Sequence, residues 1–78
     1  MSNHHFNVVA LRRRLDFHRK WRKIAWRQVA AETGLNPVVL TGIIRGQAPS
    51  VDDLVTLMMW LGETDIVPFV TPGGAVDG

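Results

Sequence analysis

The residues best equipped for chemistry in this chain are its nine lysines and arginines, and every one lies between Arg12 and Arg45. That stretch holds only two acidic residues, Asp16 and Glu32, so nine positive against two negative charges leave it at +7. From Gly46 to Gly78 the sign reverses, with five acidic residues, no basic one and a charge of −5. Cations at such density neutralise phosphates, and segregation of this kind turns one face toward a polyanion and another away from it. Arg27 and Arg45 are the best candidates for phosphate contact. Arg12, Arg13, Arg14, Lys20, Arg22 and Lys23 surround a helix and cannot all meet one duplex. Roughly half of them are expected to be plain solvated charge, the usual fate of a surface cation.

Other chemistries find little support. There is no cysteine, so neither a disulfide nor a thiolate zinc site can form. His4, His5 and His18 have no carboxylate at ligand spacing, and no metal or cofactor is expected. Ser2 and Ser50 have no local base, and Ser50 reads better as a helix cap. Gly73-Gly74 lacks the strand and helix that would frame a phosphate loop. An enzyme is therefore not expected.

The elements that must position the cations are helical throughout, and the reading is an all-α bundle of four to five helices. At 78 residues the chain makes one small domain whose stability depends on good packing or on association. Residues 1–5 are expected to be flexible. A first helix runs from about Phe6 or Asn7 to about Trp21, with Val8, Leu11 and Leu15 at helical spacing and His18 and Arg22 continuing that face. A second spans about Trp26 to Thr33 and buries Val29, Ala30 and Thr33. Gly34 supplies the left-handed turn and Leu35 plugs the corner. Asn36 caps the third helix, Pro37 takes its first position, and Gly46 ends it. Leu40 and Ile43 face the core. Ser50, with Asp53 three residues on, opens a fourth helix whose stripe is Leu54, Leu57, Met58 and Leu61. Met59 is assigned to ordinary packing, and Trp60 to core or interface. A last short helix over Thr64 to Val70 carries Pro68 near its first turn. Residues 71–78 read as a disordered tail, and no strand pattern is present.

Two short helices joined by a glycine turn, the second capped by Asn36, have the form of a helix-turn-helix, which lays one helix into the major groove of DNA. The longest apolar run, Leu54 to Leu61, is far short of the ~20 residues needed to cross a membrane. No secretory signal is visible, and the lack of cysteine fits a reducing cytosol, so a cytoplasmic setting is expected.

Ile24 to Pro37, then Leu40-Thr41, Gly46, Pro49 and Val51 to Gly62, resemble the lambda-repressor-like, Cro/XRE-type helix-turn-helix family, and most of all its small single-domain members from actinobacteria and their phages. The resemblance covers roughly residues 6–70. It implies a compact bundle, binding to double-stranded DNA, and a transcriptional or phage-immunity role, often as a homodimer. By position, Pro37 to Arg45 would be the recognition helix, with Pro37, Val38, Thr41 and Gly42 facing the groove. Asn36 would sit where a cap also reaches a phosphate or base. Trp26 occupies a place where relatives often carry a phosphate-bound Gln, and Gln28 joins the DNA-facing set on the same helix. Trp26 has two readings, an indole N–H on a phosphate or packing against neighbours such as Trp21.

Three departures stand out. Pro37, Val38 and Gly42 lack the hydrogen-bonding groups that read base identity, leaving Asn36, Thr41 and Arg45, with Val38 and the Thr41 methyl able to touch thymine methyls. Gly42 costs about 1 kcal/mol of helix propensity relative to Ala. Ala25 stands where the second helix usually has a Ser or Thr cap, a loss of roughly 1 kcal/mol. Relatives also pair the arginine matching Arg19 with a Glu at the position of Ile44, so Arg19 is expected to be free for phosphate. A rival reading is a protein-interaction module that kept the fold, such as a phage-encoded modulator of a host protein or an antitoxin-like partner. Its support is the apolar third helix and the acidic second half.

Overall fold

The computed structural model describes residues 3–73. They fold in the order β1 (Asn3–Phe6), α1 (Val8–Arg22), α2 (Trp26–Thr33), α3 (Pro37–Ile44), α4 (Val51–Leu61), a single 3-10 turn (Val67–Phe69) and β2 (Val70–Gly73). The domain is thus mostly helical, with four helices and one small sheet.

Each helix begins and ends where local chemistry dictates. Asn7 caps α1 by accepting from the Ala10 N–H at 3.0 Å. Asn36 caps α3 by accepting from the Val38 N–H at 3.0 Å, with Pro37 behind it. Ser50 caps α4 by accepting from the Asp53 N–H at 3.2 Å. Lys23, Gly34 and Gly62 close α1, α2 and α4 in the left-handed conformation. Lys23 is the one non-glycine residue with positive φ among those described, and it turns the chain so that α2 can fold back.

The 3.6-residue period then sends one stripe of each helix inward. Leu11 and Leu15 from α1, Val29 and Ala30 from α2, Leu40 and Ile43 from α3, and Leu57 and Leu61 from α4 form the buried core. Phe69 completes it at 1% exposure. The anticipated helix over Thr64 to Val70 is therefore only the 3-10 turn Val67–Phe69. Pro68 supplies no N–H for a longer ladder, and the Val67 N–H donates to the Asp65 side chain at 3.0 Å.

The sheet is the main correction to an all-α reading. β1 and β2 pair antiparallel, Asn3 opposite Gly73 and Phe6 opposite Val70. Residues 3–5 are thus strand rather than loose chain, and α1 starts at Val8 rather than at Phe6 or Asn7. Residues 71–73 belong to β2; the rest of the anticipated tail, residues 74–78, lies outside the described residues, as do residues 1 and 2. The pairing follows from Phe69: its burial aims the next residues back at the N-terminus. The Asn7 N–H donates to the Phe69 carbonyl at 2.5 Å, and the Asn7 amide donates to Thr71 Oγ1 at 3.0 Å. Pro72 is tolerated because both strands of a two-stranded sheet are edges. No described helix is long and apolar enough to cross a membrane.

Candidate nucleic-acid interface

The residues anticipated as a DNA-contacting set divide into three groups by what their side chains already touch. The first group is open. Arg27, at the start of α2, and Arg45, just past the end of α3, are exposed and carry no side-chain hydrogen bond or ion pair among the described residues. Asn36 and Pro37 are exposed, and so is Val38 at 73%. The Asn36 side-chain oxygen serves as cap, which leaves its NH2 group outward. Thr41 is exposed, but its hydroxyl donates back to the Pro37 carbonyl at 3.1 Å, so only its oxygen lone pair and methyl are available.

The second group is committed to the protein itself. Arg19 donates through Nε and Nη2 to Asp16 at 3.2 and 2.6 Å, and through Nη1 to the Ile24 carbonyl at 3.0 Å. Its guanidinium lies 4.9 Å from the centre of the Trp26 ring. The expectation that Arg19 is free for phosphate is therefore overturned: Asp16, one turn earlier on α1, supplies the missing carboxylate. Hydrogen bonds from Arg19 and Lys20 hold the Asp16 carboxyl below its ordinary range. Gln28 donates to Glu32 at 3.1 Å, an i,i+4 pair along α2.

The third group is turned inward. Gly42 is buried, and a Cβ built on it would meet the Gln47 side-chain oxygen at 2.8 Å. It is a site of close approach between α3 and the following loop, not a groove-facing position. Trp26 is half-buried against the core and lies beneath Arg19 rather than beside Trp21, which is 74% exposed and faces His18 at 6.3 Å. The packing reading of Trp26 thus accounts for its ring. Its indole N–H has no partner among the described residues.

Around Trp26 the surface forms an apolar groove. One half, about 300 Å³, is lined by Trp26, Arg27, Pro37, Leu40, Thr41 and Ile44. The other half adds Arg12, Arg13 and Asp16 beside the same Trp26 and Ile44. Arg12 reaches the Ile44 carbonyl at 3.4 Å, close to the last turn of α3. Arg27 on one side and Arg12 and Arg13 on the other therefore border two hollows that share Trp26 and Ile44. Sequence reasoning places Arg12 and Arg13 among the α1 cations, roughly half of which are expected to grip phosphate, but nothing in their spacing reveals that Ile44 sits across from them.

The start of α2 adds backbone donors. Ala25 gives no side-chain cap, and the N–H groups of Trp26 and Arg27 have no hydrogen-bond partner among the described residues. Unpaired N–H groups at a helix start, with the positive end of the helix dipole, favour an anion.

Glu32 is a site that the sequence did not announce. It accepts from Nη1 and Nη2 of Arg22, from the Gln28 amide, and from the Trp60 indole N–H at 2.9 Å. The hydrogen bonds from Arg22, then Trp60 and Gln28, pull its pKa down to about 2. This cluster ties the ends of α1, α2 and α4 together on a side of α2 away from Arg27. His18 joins it edge-on to Trp60, with ring centres 4.7 Å apart. Among the described residues no cluster of three or more metal-ligating side chains exists. No family model, curated protein or solved structure matches this chain.

Proposed function

We propose that this protein is a DNA-binding regulator of the Cro/XRE type, with α2 and α3 acting as the helix-turn-helix and α3 entering the major groove. The observation that carries this reading is the concentration of unpaired donors on one two-helix unit. Arg27 and Arg45, the free N–H groups of Trp26 and Arg27, the Trp26 indole N–H and the Asn36 amide all come from the α2–α3 unit and its flanks. Each is a donor without a protein acceptor among the described residues, and phosphate is the acceptor that suits them. The missing cap at Ala25 then has a use, since a capping side chain would occupy the site of the anion.

Base reading in this scheme is sparse. Asn36 and Arg45 supply hydrogen bonds, while Val38 and the Thr41 methyl offer apolar contact to thymine. Modest sequence preference follows, with DNA shape contributing. Fluorescence-anisotropy titration of fragments flanking the gene, and of random duplex, across a salt series tests the proposal. Tight binding to one fragment with a steep negative salt slope supports it. A second reading, capture of a protein partner, draws on the apolar floor of the Trp26–Ile44 groove and the exposed Val38. Weak binding, equal on all fragments, favours that reading instead.

A further inference from the structure

Two further apolar faces have no cover among the described residues, and the charges that border them are opposite. The first lies on α1, opposite its core stripe. Phe17 is 67% and Trp21 74% exposed, one helical turn apart. Arg14 flanks them by helical spacing, Arg13 lies between this face and the Trp26–Ile44 groove, and Lys20 beside them is paired with Asp16 at 3.0 Å. The second lies on the outer side of α4. Val51, Val55 and Met59 recur every four residues and are 75%, 53% and 76% exposed. Met59 is thus not the packing residue the sequence suggested. Beside it runs a groove of about 290 Å³ lined by Val55, Met58, Met59, Glu63 and Thr64. Asp52 borders this face, and the chain from Gly46 onward has no positive side chain to offset it.

Solitary exposed apolar residues are ordinary, but ordered rows of them on two helices mark contact surfaces. The α1 face presents two aromatic knobs in a basic frame. The α4 face presents an aliphatic groove in an acidic frame. Shape, polarity and charge are complementary between the two, and neither is complementary to itself. We propose that the α1 face of one copy docks on the α4 face of a second copy. The contact is head-to-tail, so each copy keeps one face of each kind free, and association continues into short chains or a closed ring. Two aromatic side chains bury on the order of 300–500 Å². That is below the ~1,200 Å² of a standard stable interface, so the contact is weak and concentration-dependent. The proposal does not rest on DNA binding.

Sedimentation equilibrium of the full chain without DNA, at rising concentration and at two salt levels, gives the first readout. The expected result is a mean mass that climbs from 8.7 kDa past the dimer, and that falls back toward monomer in high salt. Two variants then define the geometry: F17S/W21S, which removes the α1 face, and V55S/M59S, which removes the α4 face. All four positions are exposed, and unchanged circular dichroism checks that the fold is kept. Each variant alone should remain monomeric. An equimolar mixture should form a one-to-one heterodimer and stop there, because one intact face of each kind remains. A wild-type protein that stays monomeric to millimolar concentration overturns the proposal. So does a plateau at dimer, or a mixture that fails to associate although wild type does.

Discussion

Two groups of arginines, drawn from one 34-residue stretch, do opposite things. Arg19 and Arg22 are consumed by the protein. Asp16, Glu32, the Ile24 carbonyl and the faces of Trp26 and Trp60 use up their donors and their charge. Arg27 and Arg45 have no such partners among the described residues. The difference lies in where each falls on its helix. Arg19 follows Asp16 by one turn, and Arg22 meets Glu32 where α1 and α2 converge. Arg27 opens α2 and Arg45 follows α3, and neither makes an ion pair with a described carboxylate. Charge counted along a sequence thus overstates what a surface can offer a polyanion, and subtraction of internal pairs is what locates the available face.

The largest expected effect tests the scaffold beneath both groups. Phe69→Ala leaves a cavity where the C-terminal turn meets α1 and should cost about 3–5 kcal/mol in urea or thermal unfolding. Loss on that scale threatens a domain this small, whereas an unchanged melting temperature would mean that the sheet and turn contribute nothing.

Next comes the free pair. Arg27→Ala combined with Arg45→Ala should weaken duplex binding strongly and reduce the salt slope by about 1.8, roughly 0.9 for each phosphate no longer neutralised. Stability should stay within about 0.5 kcal/mol, as for surface sites with no partner. A variant that bound duplex with an unaltered slope would break the contrast between the two groups.

Arg19→Ala should show the converse. It strips Asp16 of its main partner and leaves the Ile24 carbonyl without its donor, for a loss of about 1–2 kcal/mol on unfolding. The salt slope of duplex binding should not change. A slope reduced as much as by Arg27→Ala would place Arg19 in the free group.

The smallest effect is sharpened by pH. Glu32 titrates at about 2 in the folded protein against 4.5 for an unpaired glutamate. A depressed folded pKa stabilises above the unfolded value, so this contribution is complete above pH 4.5 and fades as pH falls toward 2. Glu32→Gln should flatten the acid limb of a stability–pH profile in that window. An acid limb identical to wild type would show that the Arg22–Glu32–Trp60 cluster is held by packing alone.

Much of the fold is legible in the sequence because it is written locally. Asn36-Pro37, Ser50 with Asp53, and the glycines at 34 and 62 mark helix ends through short-range chemistry, and Leu11, Leu15, Leu57 and Leu61 mark inward faces through period. The sheet is illegible for the opposite reason. Asn3–Phe6 and Val70–Gly73 have no alternating pattern, and their pairing depends on Phe69 being buried by residues far away in sequence. The candidate site is legible in outline. Arg27, Arg45, Asn36 and Val38 are outward as expected, since helix-end positions announce exposure. Gly42 and Arg19 are misplaced by sequence reasoning because each is decided by one side chain, Gln47 or Asp16, whose direction no spacing rule fixes. Asp16 lies at helical spacing from both Arg19 and Lys20, and it holds both. Spacing alone does not say that Arg19 spends its whole guanidinium there and on Ile24.

The pairing of Asn3 with Gly73 has a mechanical consequence. In this antiparallel ladder both outgoing chain directions leave from the same end. A load applied across residues 3 and 73 therefore peels the inter-strand hydrogen bonds one at a time, along their own direction, instead of shearing them together. The ladder should yield at low force, and Phe69 becomes the first element to resist. A molecular motor that pulls from the C-terminal side meets its first real obstacle at a single aromatic ring.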